Sequence, residues 1–579
     1  MALMIPTDFV PFDLDATEFK NIEQYITQLQ TRPVTTREEL EKWLIDRSEL
    51  GAAIGESKAN LYITMTCNTE DIVARDAYIQ YVEQVAPKLS PLFFELDKRL
   101  VQLADSLDLD RQRYGVLLDA TKADVELFRE ENIPLQTQVA VLSQNYDQTC
   151  GAMSVTFDGS EKTLPQMARY QEVTDRATRE AAWRAVADRR LKDSAAINEI
   201  YDEMIRLRTQ MGVNAGYPNF IGYIYKSMHR FDYGPPECER FHKACEVAVV
   251  PLARQLENER KTQLGLDQLR PWDLAVDPKG RPPLKPFQNG KDLMSKSLAA
   301  FQGLSPRLAE LFALLGDGSE TRGSRDGSCL DLDTRRGKAP GGYQYMRDRS
   351  RRPFIFMNAA GLQRDVETMV HEAGHAFHSY LSRYEPLVEY RTAPIEFAEV
   401  ASMSMELLSM PHWKGTFYKD EAEFRRACRQ NIKQSIVMLP WIAQIDAFQH
   451  WVYTNPAHSQ QARRDLWVDL DTRLGSNANW SGLEQYRAEL WQRQLHIFGM
   501  PFYYIEYGIA RLGALQLWLI ALEQGAQRAI DLYTHALSLG GSRPLPELFK
   551  ECGLVFDFGP EAVSRLVDRA AKELDKVPD

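Results

Sequence analysis

The chain has 579 residues and a mass of 66.3 kDa, with 44% apolar and 26% charged residues. That balance excludes a disordered chain, and the length excludes a small disulfide-stapled module. With 81 acidic against 69 basic residues, the net charge of −12 excludes binding driven by attraction to a polyanion, so no nucleic-acid partner is expected.

Seven cysteines, an odd number with no CxxC pair, fit reduced thiols in a cytosolic setting. The first residues, MALMIPTDFVPFDLD, carry neither a basic region nor a long apolar run. The most apolar stretch, Leu512 to Leu522, falls short of the ~20 residues that span a bilayer. A cytoplasmic location without membrane contact is the expectation.

In chain order, the first clear pattern runs from Pro91 to Leu107. There Leu92, Phe93, Leu96, Leu100, Leu103 and Leu107 fall on one helical face. Thr174 to Met211 repeats apolar residues at threes and fours among many charges and also reads as helix. Residues 264–290 hold five prolines and predict a long connection. Residues 315–343, rich in Gly, Ser and charge, predict an exposed loop around a short strand.

Arg347, Arg349, Arg351 and Arg352 then form a basic cluster that reads as a solvated loop, with capture of a peptide C-terminus as the alternative. Arg352 to Asn358 suits a strand, and a helix follows from about Asp365 until Pro386 forbids its continuation. Another helix begins after Pro394, and Glu561 to Leu574 is helical by the same spacing. The whole reads as mainly helical, without a fixed-period repeat.

The chemistry starts at His371-Glu372-Ala373-Gly374-His375, an HExxH motif. Histidines four apart sit about 40° apart around a helix and one turn along it, so both can grip one metal ion. Glu372 is then suited to take a proton from water at that metal. By chance the motif arises in about one such chain in a hundred. His378 shares the face but lies ~10 Å along the axis from His371, too far to share the ion, and reads as a packed or supporting histidine. The metzincin continuation HExxHxxGxxH fails, because its glycine position holds His378 and its histidine position Leu381. A third ligand must come from elsewhere. Glu396, Glu399 and Glu406 on the next helix are all candidates, and spacing alone does not choose.

HEAGHAFH followed by PIEFAEVASMSMELL resembles the oligoendopeptidase F branch of the thimet oligopeptidase-like zinc metallopeptidases. Arg335 to Tyr343 (RRGKAPGGY) and His496 to Tyr507 (HIFGMPFYYIEY) are similar to that branch as well. The resemblance implies one Zn²⁺ per chain on His371, His375 and Glu399, with Glu372 as general base. It also implies stabilisation of the tetrahedral intermediate by His496, Tyr504 and Tyr507. Glu396 then reads as a supporting carboxylate, placed by proximity to orient a ligand histidine. The family often adds a tyrosine-bearing loop that IFGMP here lacks.

The implied fold is a mainly α-helical, zincin-like metallopeptidase, with two helical lobes around a deep channel and a small β-sheet beside the zinc. Residues 1–195 would form part of the channel wall and residues 196–579 the catalytic domain. Gly341 and Gly342 let backbone approach a ligand, and with Tyr343 on the adjoining strand they are candidate substrate contacts.

No GxSxG elbow, GxxxxGK[ST] loop or GxGxxG fingerprint competes with this chemistry. The expected activity is zinc-dependent hydrolysis of internal bonds in short unstructured peptides. The alternatives are a zinc carboxypeptidase or dipeptidyl carboxypeptidase and, in a different class, a non-catalytic peptide-binding protein.

Overall fold

A computed structural model describes residues 5–318, 329–335, 338–339 and 341–578. Arg336, Gly337 and Pro340 of the RRGKAPGGY motif, and residues 319–328 of the Gly- and Ser-rich stretch, lie outside the described residues.

Helix α1 (Arg37–Cys67) begins where Thr36 and Glu39 bond each other's backbone N–H groups in a capping box. Around it an apolar cluster gathers residues from Val10 to Leu118 and closes on Leu387 and Tyr390. A larger cluster collects apolar side chains from Leu127 to Leu574. The stretch read as helix from Pro91 begins earlier, as Ala86–Ser106, with Pro91 inside it. The helical pattern of 174–211 is broken at Asp193 into Arg176–Lys192 and Ser194–Asn214. Between Gln263 and Gly290 the proline-rich connection carries only a short turn, Pro271–Asp273. That turn is anchored because buried Asp273 accepts hydrogen bonds from Arg176 and Arg179.

Strands β1 (Ser154–Phe157) and β2 (Ser160–Thr163) form an isolated hairpin. The second sheet has the order β3 (Leu330–Asp333), β5 (Arg352–Ala359), β4 (Tyr343–Arg347). β3 runs parallel to β5, while β4 runs antiparallel to it with Tyr343 opposite Phe356 and Gln344 opposite Ile355. β5, the apolar strand of the sequence, is central and buried. β4 is an edge.

The end of α1 supports this sheet, with Ile63 and Cys67 packed against Phe354 and Phe356. Asp331 of β3 accepts from Arg335 at 2.6 Å and pairs with Lys338 at 2.8 Å, so two cations of the motif brace the sheet.

The arginine cluster corrects the solvated-loop reading. Arg347, Arg349 and Arg351 are all buried. Arg349 donates to Glu49 Oε1 at 3.1 Å and to the Val10 carbonyl at 2.8 Å, and Arg351 donates to the Arg383 carbonyl. A buried guanidinium needs acceptors, and here they belong to the N-terminal helices and the helix beyond the sheet. The sequence concealed this because those acceptors lie up to 339 positions away.

β5 feeds helix α2 (Gln363–Ser382), whose start is fixed by Asp365 accepting from the N–H groups of Ala360 and Leu362. Helix α3 (Ile395–Leu408) follows Pro394. Helices α4 (Glu421–Thr454) and α5 (Tyr504–Gln524) pack beside it. α2 and α3 touch at Gly374, where a Cβ would lie 2.5 Å from the Ala401 carbonyl oxygen and from Ser402 Cα. The glycine within HEAGH therefore sets how near α3 comes to the two histidines.

α5 is long and apolar enough to cross a bilayer by composition, although the shorter count from Leu512 suggested otherwise. In this fold 72% of its apolar window is buried inside the protein.

Candidate metal centre

His371 and His375 project from α2, half-buried, toward Glu399 of α3, which is buried. Glu399 Oε2 lies 3.4 Å from His371 Nε2 and 3.7 Å from His375 Nε2. One ligand atom from each residue fits within a span of 4.8 Å. Tetrahedral zinc bonds of 2.0–2.1 Å put ligand atoms about 3.3 Å apart, so these three fit one cation with small adjustments.

The tautomer is set from behind. His371 Nδ1 lies 2.7 Å from Glu406 Oε1, and Arg511 donates to Glu406 Oε2 at 2.8 Å. Donation from Nδ1 leaves the Nε2 lone pair facing Glu399. This corrects the expectation for Glu396, which is not beside a histidine. Glu396 accepts from the Tyr233 hydroxyl at 2.6 Å and lies 3.8 Å from Arg230 Nε. The signal for Glu406 was present in the sequence. It lies seven residues after Glu399, about 20° away on the same helical face, whereas Glu396 is about 60° off.

Glu372 is buried, and its Oε2 has no hydrogen-bond partner among the described residues. Burial pushes its carboxyl up to about 7, opposed by the neighbouring His371 and by the Gln344 backbone of β4. Burial alone would also raise Glu399, but the facing His375 and His371 outweigh it and bring Glu399 down to about 2. Burial lowers His375 to about 4 and His378 to about 3. His378 is a packed histidine whose Nε2 has no partner.

The facing wall comes from His496 and the start of α5. Tyr503, the residue before α5, donates its hydroxyl to Glu399 Oε1 at 3.2 Å. The sequence alone leaves open whether Tyr503 of this motif acts in catalysis or only in packing, because no local pattern marks Glu399 as its partner. Tyr507 stands edge-on to Tyr503 at 5.1 Å between ring centres and 5.9 Å from the His496 ring. The Tyr504 hydroxyl turns to Gln494 Oε1 at 2.9 Å, and Gln494 Nε2 lies 2.8 Å from His496 Nδ1. Tyr504 thus meets the site through Gln494 and His496. Gln494, outside any motif, was not anticipated.

Gly341 has φ +96°, a conformation open to glycine, and Asn358 Nδ2 donates to its carbonyl at 2.9 Å. A Cβ on Gly342 would lie 3.3 Å from the Phe356 carbonyl oxygen and 3.6 Å from Thr368 Cγ2 of α2. The Tyr343 side chain points away, its hydroxyl 2.6 Å from Thr66 Oγ1 and its ring stacked on Phe356. Gln344 faces α2, with Nε2 donating to Ser379 Oγ at 3.3 Å.

The sequence profile of Peptidase family M3 matches residues 169–559. The chain belongs to peptidase family M3. Within that family it is 24% identical over 336 residues to oligopeptidase PepF of Bacillus subtilis (strain 168), a match covering 57% of this chain. That match spans about half of the relative, 47% of its length. Among solved structures, PZ peptidase A with an inhibitor superposes with a TM-score of 0.87 at 26% identity, covering 97% of this chain and 98% of that one. A protein assigned as an oligoendopeptidase F gives 0.88 at 26% identity, covering 97% of both chains. The mainly helical M3 fold, with a small sheet beside the HExxH helix, is therefore shared over nearly the whole length.

Proposed function

We propose that this M3 peptidase is a zinc metalloendopeptidase that hydrolyses internal bonds of short, unstructured peptides. The observation that carries the reading is the convergence of His371, His375 and Glu399 beside a buried Glu372 with an unpartnered oxygen. His371 and His375, through Nε2, and a carboxylate oxygen of Glu399 would hold one Zn²⁺ per chain. Held there, the ion supplies a Lewis acid for the scissile carbonyl and for water.

The chain's own groups do the rest. Glu372 takes a proton from the attacking water at Oε2 and hands it to the leaving amine nitrogen. Tyr507 donates a hydroxyl hydrogen bond as charge builds on the carbonyl oxygen, Tyr503 keeps its hydroxyl on Glu399, and His496 steadies that wall. Tyr504 acts on it through Gln494. β4 is paired with β5 along one edge only among the described strands, and its other edge can bind an extended peptide through main-chain hydrogen bonds. Gly341 and Gly342 would keep the approach free of side chains, and Tyr343 would contribute its backbone rather than its ring. We also propose a cytoplasmic location, supported by seven cysteines that are all free thiols.

The test is a peptide library incubated with and without a chelator and read by mass spectrometry. It includes peptides blocked at both ends. Chelator-sensitive internal cleavage of the blocked peptides is expected. Release of terminal residues from unblocked peptides only would replace this reading with an exopeptidase.

A further inference from the structure

One face of α4 lines a cavity of about 750 Å³ whose walls hold none of the three ligating residues but connect to them through Gln494. Gln430, Lys433, Val437, Trp441 and Gln444 recur there at threes and fours, a wall about 21 Å long. Its near end meets the site, since Trp441 Nε1 donates to Gln494 Oε1 at 3.4 Å and Gln494 contacts both His496 and Tyr504. Gln363 and Glu367 of α2 close the cavity one to two turns before His371.

Its charges are unevenly matched. Asp277 pairs with Arg281 and Arg426, Asp471 with Arg487, Glu257 accepts from the Asn477 N–H, and Glu367 accepts from Gln363. Lys433 and Arg493 have no carboxylate partner among the described residues. Arg493 instead lies over the Trp441 ring at 4.7 Å. Of the acidic lining residues, Glu172, Glu257 and Glu367 have no ion-pair partner among those described, but the seven Arg and Lys residues of the lining outnumber its five Asp and Glu residues. Burial lowers the Lys433 ammonium to about 8.

Building on the peptidase reading, we propose that this cavity receives the carboxylate-bearing flank of the peptide, with Lys433 and Arg493 as its counter-charges. The geometry also gives a register. Lys433 stands eight residues before Trp441, about 12 Å along α4. An extended peptide rises about 3.3 Å per residue, so with the cleaved bond level with Trp441, the cavity residue linked to His496 through Gln494, Lys433 meets a carboxylate three to four residues away. Arg493, beside Trp441, meets one nearer the bond. The carboxylate is either an Asp or Glu side chain or the peptide's own C-terminus, because both present the same two oxygens to a cation.

The experiment uses the full-length, zinc-loaded protein and doubly blocked peptides. Glu is compared with Gln at each position up to five residues on either side of the bond. A further pair compares a free with an amidated C-terminus. The expected result is about tenfold higher kcat/KM for the carboxylate at three to four residues on one side, weakening with salt. Lys433→Met should cut that ratio below about twofold, and Lys433→Arg should restore it. A preference confined to the free C-terminus identifies the terminal carboxylate, and one confined to Glu identifies side chains.

Equal cleavage of all pairs would overturn the proposal. So would a preference that survives both Lys433→Met and Arg493→Gln. Calorimetric binding of the same pairs to the Glu372→Gln protein reads the preference without turnover. Absence of hydrolysis by the unaltered enzyme would therefore count against the peptidase reading and not against the carboxylate site.

Discussion

Among the described residues two clusters bring ligating side chains within 4.8 Å, and they differ in what their donor atoms already hold. At His371, His375 and Glu399 the imidazole Nε2 atoms face the carboxylate at 3.4 and 3.7 Å, and the histidine side chains are 21% and 18% exposed. At Cys238, Asp446 and His450 most of the atoms already share hydrogen bonds, and Asp446 Oδ1, which has no partner among the described residues, is sealed from solvent. His242 Nε2 lies 2.7 Å from Asp446 Oδ2, and the Tyr225 hydroxyl lies 3.1 Å from both His450 Nε2 and Cys238 Sγ. The first cluster has partly exposed histidines and carboxylate support behind one ligand. The second is a closed polar knot around an Asp446 with no exposure. Proximity of ligating residues is therefore a weak criterion. The state of their lone pairs separates a metal centre from a structural network.

The contrast is open to attack at several points, beginning with the largest effect. Removing metal with a chelator, or replacing His371 by Ala, should abolish hydrolysis and reduce bound zinc from one per chain to none. His450→Ala should leave zinc at one per chain, because its cluster holds none. It should lower stability by about 3 kcal/mol, since Asp446 loses a buried partner. Metal analysis alongside denaturant unfolding checks both halves. A drop to half the zinc in that variant, from a starting value of two, would erase the distinction.

Glu406→Gln should weaken zinc affinity by about 10–100-fold while the fold persists, because a neutral amide has one acceptor oxygen for both His371 and Arg511. Competition with a coloured chelator measures this. Gly374→Ala should cost about 2 kcal/mol, because the added Cβ meets backbone of α3 that cannot move aside cheaply. Thermal unfolding reads the loss.

Much of the first cluster was legible in the sequence, because HExxH is local and one helix supplies two ligands and the base. Family resemblance singled out Glu399 among three glutamates. Its neighbours settle their different surroundings, with Glu396 held by Tyr233 and Arg230, and Glu406 by His371 and Arg511. Those partners lie between 35 and 166 positions away, so no local pattern could assign them. The second cluster was invisible for the same reason, since Cys238 and His242 on one helix meet Asp446 and His450 on another. The arginines at the end of β4 and after it were misread because nothing local marks Glu49 as the acceptor of Arg349 or the Arg383 carbonyl as that of Arg351. The sheet edge was half-legible and the cavity wall was not. The strand beside Gly341 and Gly342 could be expected from the sequence, whereas α4 was not among the helices read from spacing and the face it turns to the cavity depends on packing.

The central claim is that Glu372 moves protons beside a cation held by other residues. The most direct measurement takes purified Glu372→Gln protein and determines its zinc content and its rate on a blocked peptide in the same sample. The account predicts one zinc per chain and a rate lower by at least about a hundredfold. A full complement of zinc with an undiminished rate would contradict it.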